Sequence, residues 1–220
     1  MKEDGGKTWR EALRYLGYGG CEPDEAAKEI LLACFDQAEK EIRPRVIMEE
    51  FPLTKEDTPL GERLDLGLFQ TESVSLARNL SGCFRVLIMA ATLGIEADRL
   101  LHRTQAVSPA RAAVLQAVLA ALMEEACDRW NREWEETYRK KGLFLRPRFS
   151  PGYGDLPLSL QKPLLEGLEA GKRIGIGLTD GFLMTPSKSV TAVIGVSRTP
   201  QECVPEGCVS CGKKDCLFRR

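Results

Sequence analysis

The chain has 220 residues, 43 % hydrophobic and 29 % charged, ordinary proportions for a packed globular protein. At this length folding buries roughly 70 % of the unfolded surface, enough for a core in one domain or two small ones. The balance of 31 basic against 32 acidic side chains leaves a net charge of −1. That excludes a strongly basic nucleic-acid binder and argues against a polybasic membrane-surface protein. No apolar run approaches the roughly 20 residues that span a bilayer. The opening stretch MKEDGGKTW lacks the apolar segment of a secretory signal, so a cytoplasmic protein is expected.

Trp9, Leu13 and Leu16 recur at helical spacing and predict a short amphipathic helix over Thr8 to Tyr18, stopped by Gly17 and the Gly19-Gly20 pair. A second helix is expected after Pro23, with Asp24 and Glu25 in its first turn, running to about Ile42. Its apolar face is Ala27, Ile30, Leu31, Cys34, Phe35 and Ala38. Arg45 to Leu53 reads as a strand, Leu53 to Gly61 as a polar loop, and Leu64 to Phe69 as a second strand. The run Gly82 to Ala91 is the most apolar in the chain. It reads as a central strand, although a buried helix has the same hydropathy.

A helix carrying Asp98, Leu100, Leu101 and the lone histidine, His102, is expected after Gly94. The next runs from Ser108, as N-cap, through Pro109 at the first helical position to about Lys141. Its stripe of Val114, Val118, Ala121, Cys127, Trp130, Trp134 and Tyr138 is core packing. Beyond it, Phe144 to Phe149 is expected as strand, Leu158 to Glu169 as helix, and Arg173 to Leu178 and Ser189 to Ser197 as strands. Helices and strands mix without a βαβ rhythm, so the expected class is α+β: a mixed or antiparallel twisted sheet flanked by helices.

Standard catalytic signatures are absent. His102 has no nucleophile near it, no phosphate-binding glycine loop occurs, and the paired acids of the long helix belong to a solvated face. Two segments stand out. In Arg146 to Pro157, Pro151 and Gly152 fix a tight turn, Arg148 can form a bidentate pair with a carboxylate, and Tyr153 offers a ring face and a hydroxyl. Five basic residues and no acid lie between Arg139 and Arg148, a potential suited to an anionic group. Leu178 to Val190, rich in hydroxyls, Gly and Pro, separates two expected strands. On composition alone either segment also reads as a structured connection.

Both segments resemble the activation domain of cobalamin-dependent methionine synthase. Its RPAPGYPACP motif is similar to Arg148-Phe-Ser-Pro-Gly-Tyr-Gly-Asp-Leu-Pro157, keeping the arginine, the Pro-Gly-Tyr and the last proline. Its LTESFAMWPGASVSG stretch is similar to Leu178 to Ala192, keeping Leu178, Thr179, Phe182, Met184, Pro186, Ser189 and Val190. The motifs stand in the family's order with one helix between them. Arg14 to Tyr18 and Thr92 to Asp98 resemble stand-alone relatives of that domain.

The resemblance implies an activation-domain-like α+β domain over residues 1–200, helical over about 1–142 and ligand-binding over about 143–200, followed by a tail over 201–220. It implies S-adenosylmethionine as ligand. Arg148 would pair with its carboxylate, the backbone of Phe149, Ser150, Pro151 and Gly152 would contact the adenosine, and Tyr153 would lie beside it. The implied task is reductive methylation of cob(II)alamin on a separate cobalamin-dependent methionine synthase lacking its own activation domain. Electrons would come from a donor such as a flavodoxin or ferredoxin. Catalysis would be positioning, with no side chain acting as acid or base.

Two features depart from the pattern: Asp155-Leu156 replaces Ala-Cys, and Glu202-Cys203 falls near the family's aromatic pair. Asp65 and Asp98 are the upstream acids available for the ligand's ammonium group. A non-catalytic S-adenosylmethionine-binding partner or sensor is the alternative reading.

The cysteines divide into two groups. Cys21, Cys34, Cys83 and Cys127 are scattered in apolar segments, where a thiol is usually a small buried hydrophobe. Cys203, Cys208, Cys211 and Cys216 cluster in the tail at x4, x2 and x4 spacing. Four thiolates suit zinc or an iron–sulfur cluster, and free or oxidisable thiols fit the irregular outer spacings equally. A metal or redox protein acting through this tail is therefore a third reading.

Overall fold

A computed structural model describes residues 6–18, 21–59 and 61–200. In chain order the elements are α1 (Lys7–Tyr15), α2 (Glu25–Glu41), β1 (Arg45–Pro52), β2 (Thr54–Thr58), β3 (Gly61–Asp65), β4 (Gln70–Thr71), α3 (Val74–Asn79), β5 (Cys83–Thr92), α4 (Ile95–Val107) and α5 (Pro109–Arg139). There follow β6 (Phe144–Leu145), a 3-10 turn (Leu158–Leu160), α6 (Gln161–Gly167), α7 (Ala170–Ile174), β7 (Gly177–Leu178), β8 (Met184–Thr185) and β9 (Ser189–Ser197). None of the described helices is long and apolar enough to cross a membrane. The chain forms two compact units. One takes the residues up to Pro44 and Leu93–Asp128; the other takes Arg45–Thr92 and Arg129 onward.

The first unit is helical. Asp24 caps α2 by accepting a hydrogen bond from the Ala27 N–H at 2.8 Å, and the Ser108 hydroxyl accepts from Arg111 N–H at 3.3 Å as the sequence predicts. Trp9 of α1 stacks on Phe35 of α2 with centroids 6.0 Å apart. Leu31, Cys34 and Ala38 of α2, Ala97 and Leu100 of α4, and Leu115, Val118 and Leu119 of α5 are buried. His102 is exposed. Burial raises the Cys34 thiol pKa, an inert environment. Cys21 instead is exposed, because it lies in the link before α2 and not on an apolar face.

The second unit is built on a four-stranded antiparallel sheet in the order β1-β5-β9-β6. Every residue of β5 from Val86 to Thr92 is buried, and the apolar run forms a central strand rather than a helix. Val86, Ile88 and Ala90, which alternate along β5, share a core with Ile47 of β1, Leu76 of α3, Leu164 and Leu165 of α6 and Ile174 of α7.

Three local expectations are corrected. Leu53 to Gly61 is not a loop: Thr54 to Thr58 pairs with Gly61 to Asp65 as a hairpin, Lys55 opposite Leu64 and Asp57 opposite Glu62. Its first strand is almost wholly exposed, so no hydropathy alternation marks it. Leu66 to Phe69, expected as strand, is a turn closed by Leu66 N–H to the Phe69 carbonyl at 3.0 Å, with Gly67 at φ +83°. Arg173 and Ile174 are helical, because α7 runs to Gly175, whose left-handed φ of +76° supplies the C-terminal stop. The period of two in RIGIGL comes from its glycines.

Candidate functional site

The segment from Arg146 to Pro157 is fixed at both ends. Arg146 N–H donates to the Gly195 carbonyl at 2.8 Å, and Phe149 exchanges both backbone bonds with Val193 at 2.9 and 2.8 Å. Three steps along this segment therefore oppose two along β9, the count of a bulge. Pro147 has no N–H to give the ladder. The strand expected over Phe144 to Phe149 is thus interrupted, and Arg148 falls in the interruption. The Arg146 side chain is only 2 % exposed and donates to the Ser81 and Thr199 carbonyls at 3.3 and 3.5 Å. It belongs to the wall, and the basic stretch from Arg139 to Arg148 loses that charge from its surface.

Tyr153 N–H donates to the Ser150 carbonyl at 3.1 Å, closing Ser150-Pro151-Gly152-Tyr153. With Pro second and Gly152 third at φ +87°, this is the residue pattern of a type II turn. Leu156 N–H then donates to the Tyr153 carbonyl at 3.1 Å, and Gly152 N–H to the Leu156 carbonyl at 2.8 Å. Gly154, at φ +57°, is held for space as well: a Cβ there would sit 2.9 Å from the Ser75 hydroxyl. The buried Phe149 ring meets Tyr153 edge-on, centroids 5.4 Å apart, while Tyr153 stays 57 % exposed.

Asp155, which the sequence shows only as a departure from the motif, ties this turn to the start of α3. It accepts from the Ser73 hydroxyl at 2.5 Å and from the N–H groups of Val74 and Ser75 at 2.7 and 3.1 Å. These bonds, the Ser73 hydroxyl foremost, hold its carboxyl well below the usual carboxylate range. No sequence pattern signals the link, because its partners lie about eighty positions apart.

The second segment forms the β7–β8 hairpin, Gly177 opposite Thr185 and Leu178 opposite Met184. Thr179 closes its turn, accepting Phe182 N–H on its carbonyl at 3.0 Å and Leu183 N–H on its hydroxyl at 3.1 Å. Phe182 has φ +59°, a conformation that bulky side chains rarely adopt. After the cis Thr185-Pro186 bond, the Ser189 hydroxyl lies 2.7 Å from the Pro186 carbonyl and 2.9 Å from the Thr92 hydroxyl. The segment then continues along β9 through Ala192 to Val193, the partner of Phe149. The two segments that carry the resemblance therefore meet at one strand.

A cavity of about 680 Å³ lies beside this hairpin, lined from α6, α7 and residues 176–182, including Leu165, Ile176, Leu178 and Phe182. None of Arg148 to Tyr153 lines it. Asp65 accepts from Gly67 N–H and the Gln70 amide, both at 2.8 Å, which lower its carboxyl pKa and assign it to the β3–β4 turn. Among the described residues no group of three or more His, Cys, Asp or Glu is gathered to hold a metal. Cys203, Cys208, Cys211 and Cys216 lie outside the described residues.

No family model and no curated protein matches this sequence. Among solved structures, the crystal structure of the MetH reactivation domain bound to AdoHcy is similar, with a TM-score of 0.62 and 20 % identity over 87 % of this chain and 76 % of that one. The fold is thus that of a methionine synthase reactivation domain, the α+β class the sequence indicates.

Proposed function

We propose that this protein binds S-adenosylmethionine at the Arg148 to Tyr153 turn and supports reductive methylation of cob(II)alamin carried by a separate cobalamin-dependent methionine synthase. One observation carries the reading. The chain has the fold of a domain solved with AdoHcy, and in this chain the two motif segments meet through the Phe149–Val193 pair.

The residues present suit such a ligand. A guanidinium at Arg148 matches a carboxylate in charge and fork geometry. The exposed Tyr153 ring, steadied edge-on by Phe149, provides a face for a planar base. The turn between them is set by its own backbone bonds, so little ordering remains to be done on binding. When bound, S-adenosylmethionine supplies the methyl group, and a separate reductant such as a flavodoxin or ferredoxin supplies the electron. The chain's part is to hold the donor in one orientation. In this reading the four tail cysteines bind zinc or an iron–sulfur cluster, which metal analysis of anaerobically purified protein would distinguish.

Calorimetric titration with S-adenosylmethionine is the test. One-to-one saturable binding is expected, and Arg148→Ala should weaken it by about 1.5–3 kcal/mol while the protein stays folded. Unchanged affinity in that variant removes Arg148 from the site. Methyl transfer to a corrinoid protein, followed by its absorption spectrum, then separates an activator from a binder that leaves cobalamin unmethylated.

A further inference from the structure

We infer that the cavity beside the β7–β8 hairpin is a second ligand site, built for a small organic cation with a planar apolar body. Its volume of about 680 Å³ falls within the range of small-molecule pockets. Leu165, Ile176 and Phe182 give it apolar walls that would take up a ring. At its lining stand Lys162, Glu166 and Asp180. None of these three makes an ion pair or a side-chain hydrogen bond to any described residue. The other cation there, Lys172, is already engaged with Glu169 at 2.7 Å. One cation against two carboxylates leaves the open charge of the cavity negative, so an ammonium or other cationic head is favoured over a carboxylate or phosphate.

The backbone adds an independent sign. Phe182 is held at φ +59° within the Thr179 turn. A bulky residue in that region costs free energy that glycine would not, and such outliers concentrate at ligand clamps. A glycine would satisfy this turn more easily; the ring at the cavity is what the glycine would lack. The site does not depend on the Arg148 turn, none of whose residues lines it.

The experiment uses one ring with two charges. Tryptamine and indole-3-acetate are titrated into the full chain in the presence of saturating S-adenosylmethionine, with chemical-shift changes or tryptophan-independent calorimetry as readout. Tryptamine should bind saturably and at least tenfold more tightly than indole-3-acetate. The double variant Glu166→Gln with Asp180→Asn should lose at least tenfold in tryptamine affinity, and Arg148→Ala should lose none. Phe182→Gly, which relieves the backbone and so should fold at least as well, should also lose tenfold. Equal binding of the two probes, absence of saturable tryptamine binding, or indifference to these cavity variants would each overturn the assignment. Loss of S-adenosylmethionine binding with tryptamine binding intact would instead overturn the proposed function and leave this site standing.

Discussion

Asp155 shows how much one carboxylate can organise. Its three hydrogen bonds join the turn that bears Tyr153 to the start of α3. Asp155→Ala should destabilise the protein by about 1 kcal/mol, the usual worth of a capping interaction, in urea denaturation at neutral pH. The pH dependence has a definite sign. The folded carboxyl ionises below the range of the unfolded chain. Its contribution is therefore complete above about pH 4 and is lost as pH falls toward the folded-state value. The gap between wild type and Asp155→Ala should narrow on acidification; a constant gap would mean that the bonds to Ser73 and its neighbours carry no charge. The sequence reveals the turn itself, since Pro151 and Gly152 dictate it, but not this anchor, which depends on residues brought together only by folding.

Elements were legible in proportion to their hydropathy contrast. α2 and α5 match their expected spans closely, because capping residues and an apolar face mark them. β9 matches residue for residue, and β5 within one residue at either end. The β2–β3 hairpin was illegible because β2 is polar along its whole length and β3 buries only Leu64, so no alternation marks either strand. Within β9, Gly195 marks a close approach of neighbouring segments. A Cβ there would lie 2.5 Å from the Cys83 sulfur, 2.8 Å from Leu80 and 3.0 Å from Arg146. Gly195→Ala should cost about 1–3 kcal/mol through forced displacement of packed neighbours. A thermal midpoint equal to wild type would show that β5 and the Arg146 side chain yield more easily than their burial suggests.

At the scale of the molecule, the principal sheet gathers four segments that lie far apart in sequence, with β5 and β9 as its middle. Composition and the absence of a βαβ rhythm were enough for the α+β class, but nothing in the sequence sets the strand order, which long-range pairing decides. Ile88 stands at the crossing, opposite Glu49 of β1 and Val193 of β9, and is fully buried. Ile88→Ala should therefore cost about 2–5 kcal/mol in equilibrium denaturation. A loss well under 1 kcal/mol would place the stabilising core elsewhere than along β5.

The double attachment of the Arg146 to Pro157 segment has a consequence for how this surface can change over evolutionary time. Its course is set by backbone pairing at Arg146 and Phe149 and by the carboxylate of Asp155. Those attachments use backbone atoms of Arg146 and Phe149 and the side chain of Asp155. The path of the chain is thus written mainly in main-chain pairing and one carboxylate, so exchanges elsewhere along the segment are filtered by what the backbone can adopt before they are filtered by side-chain chemistry.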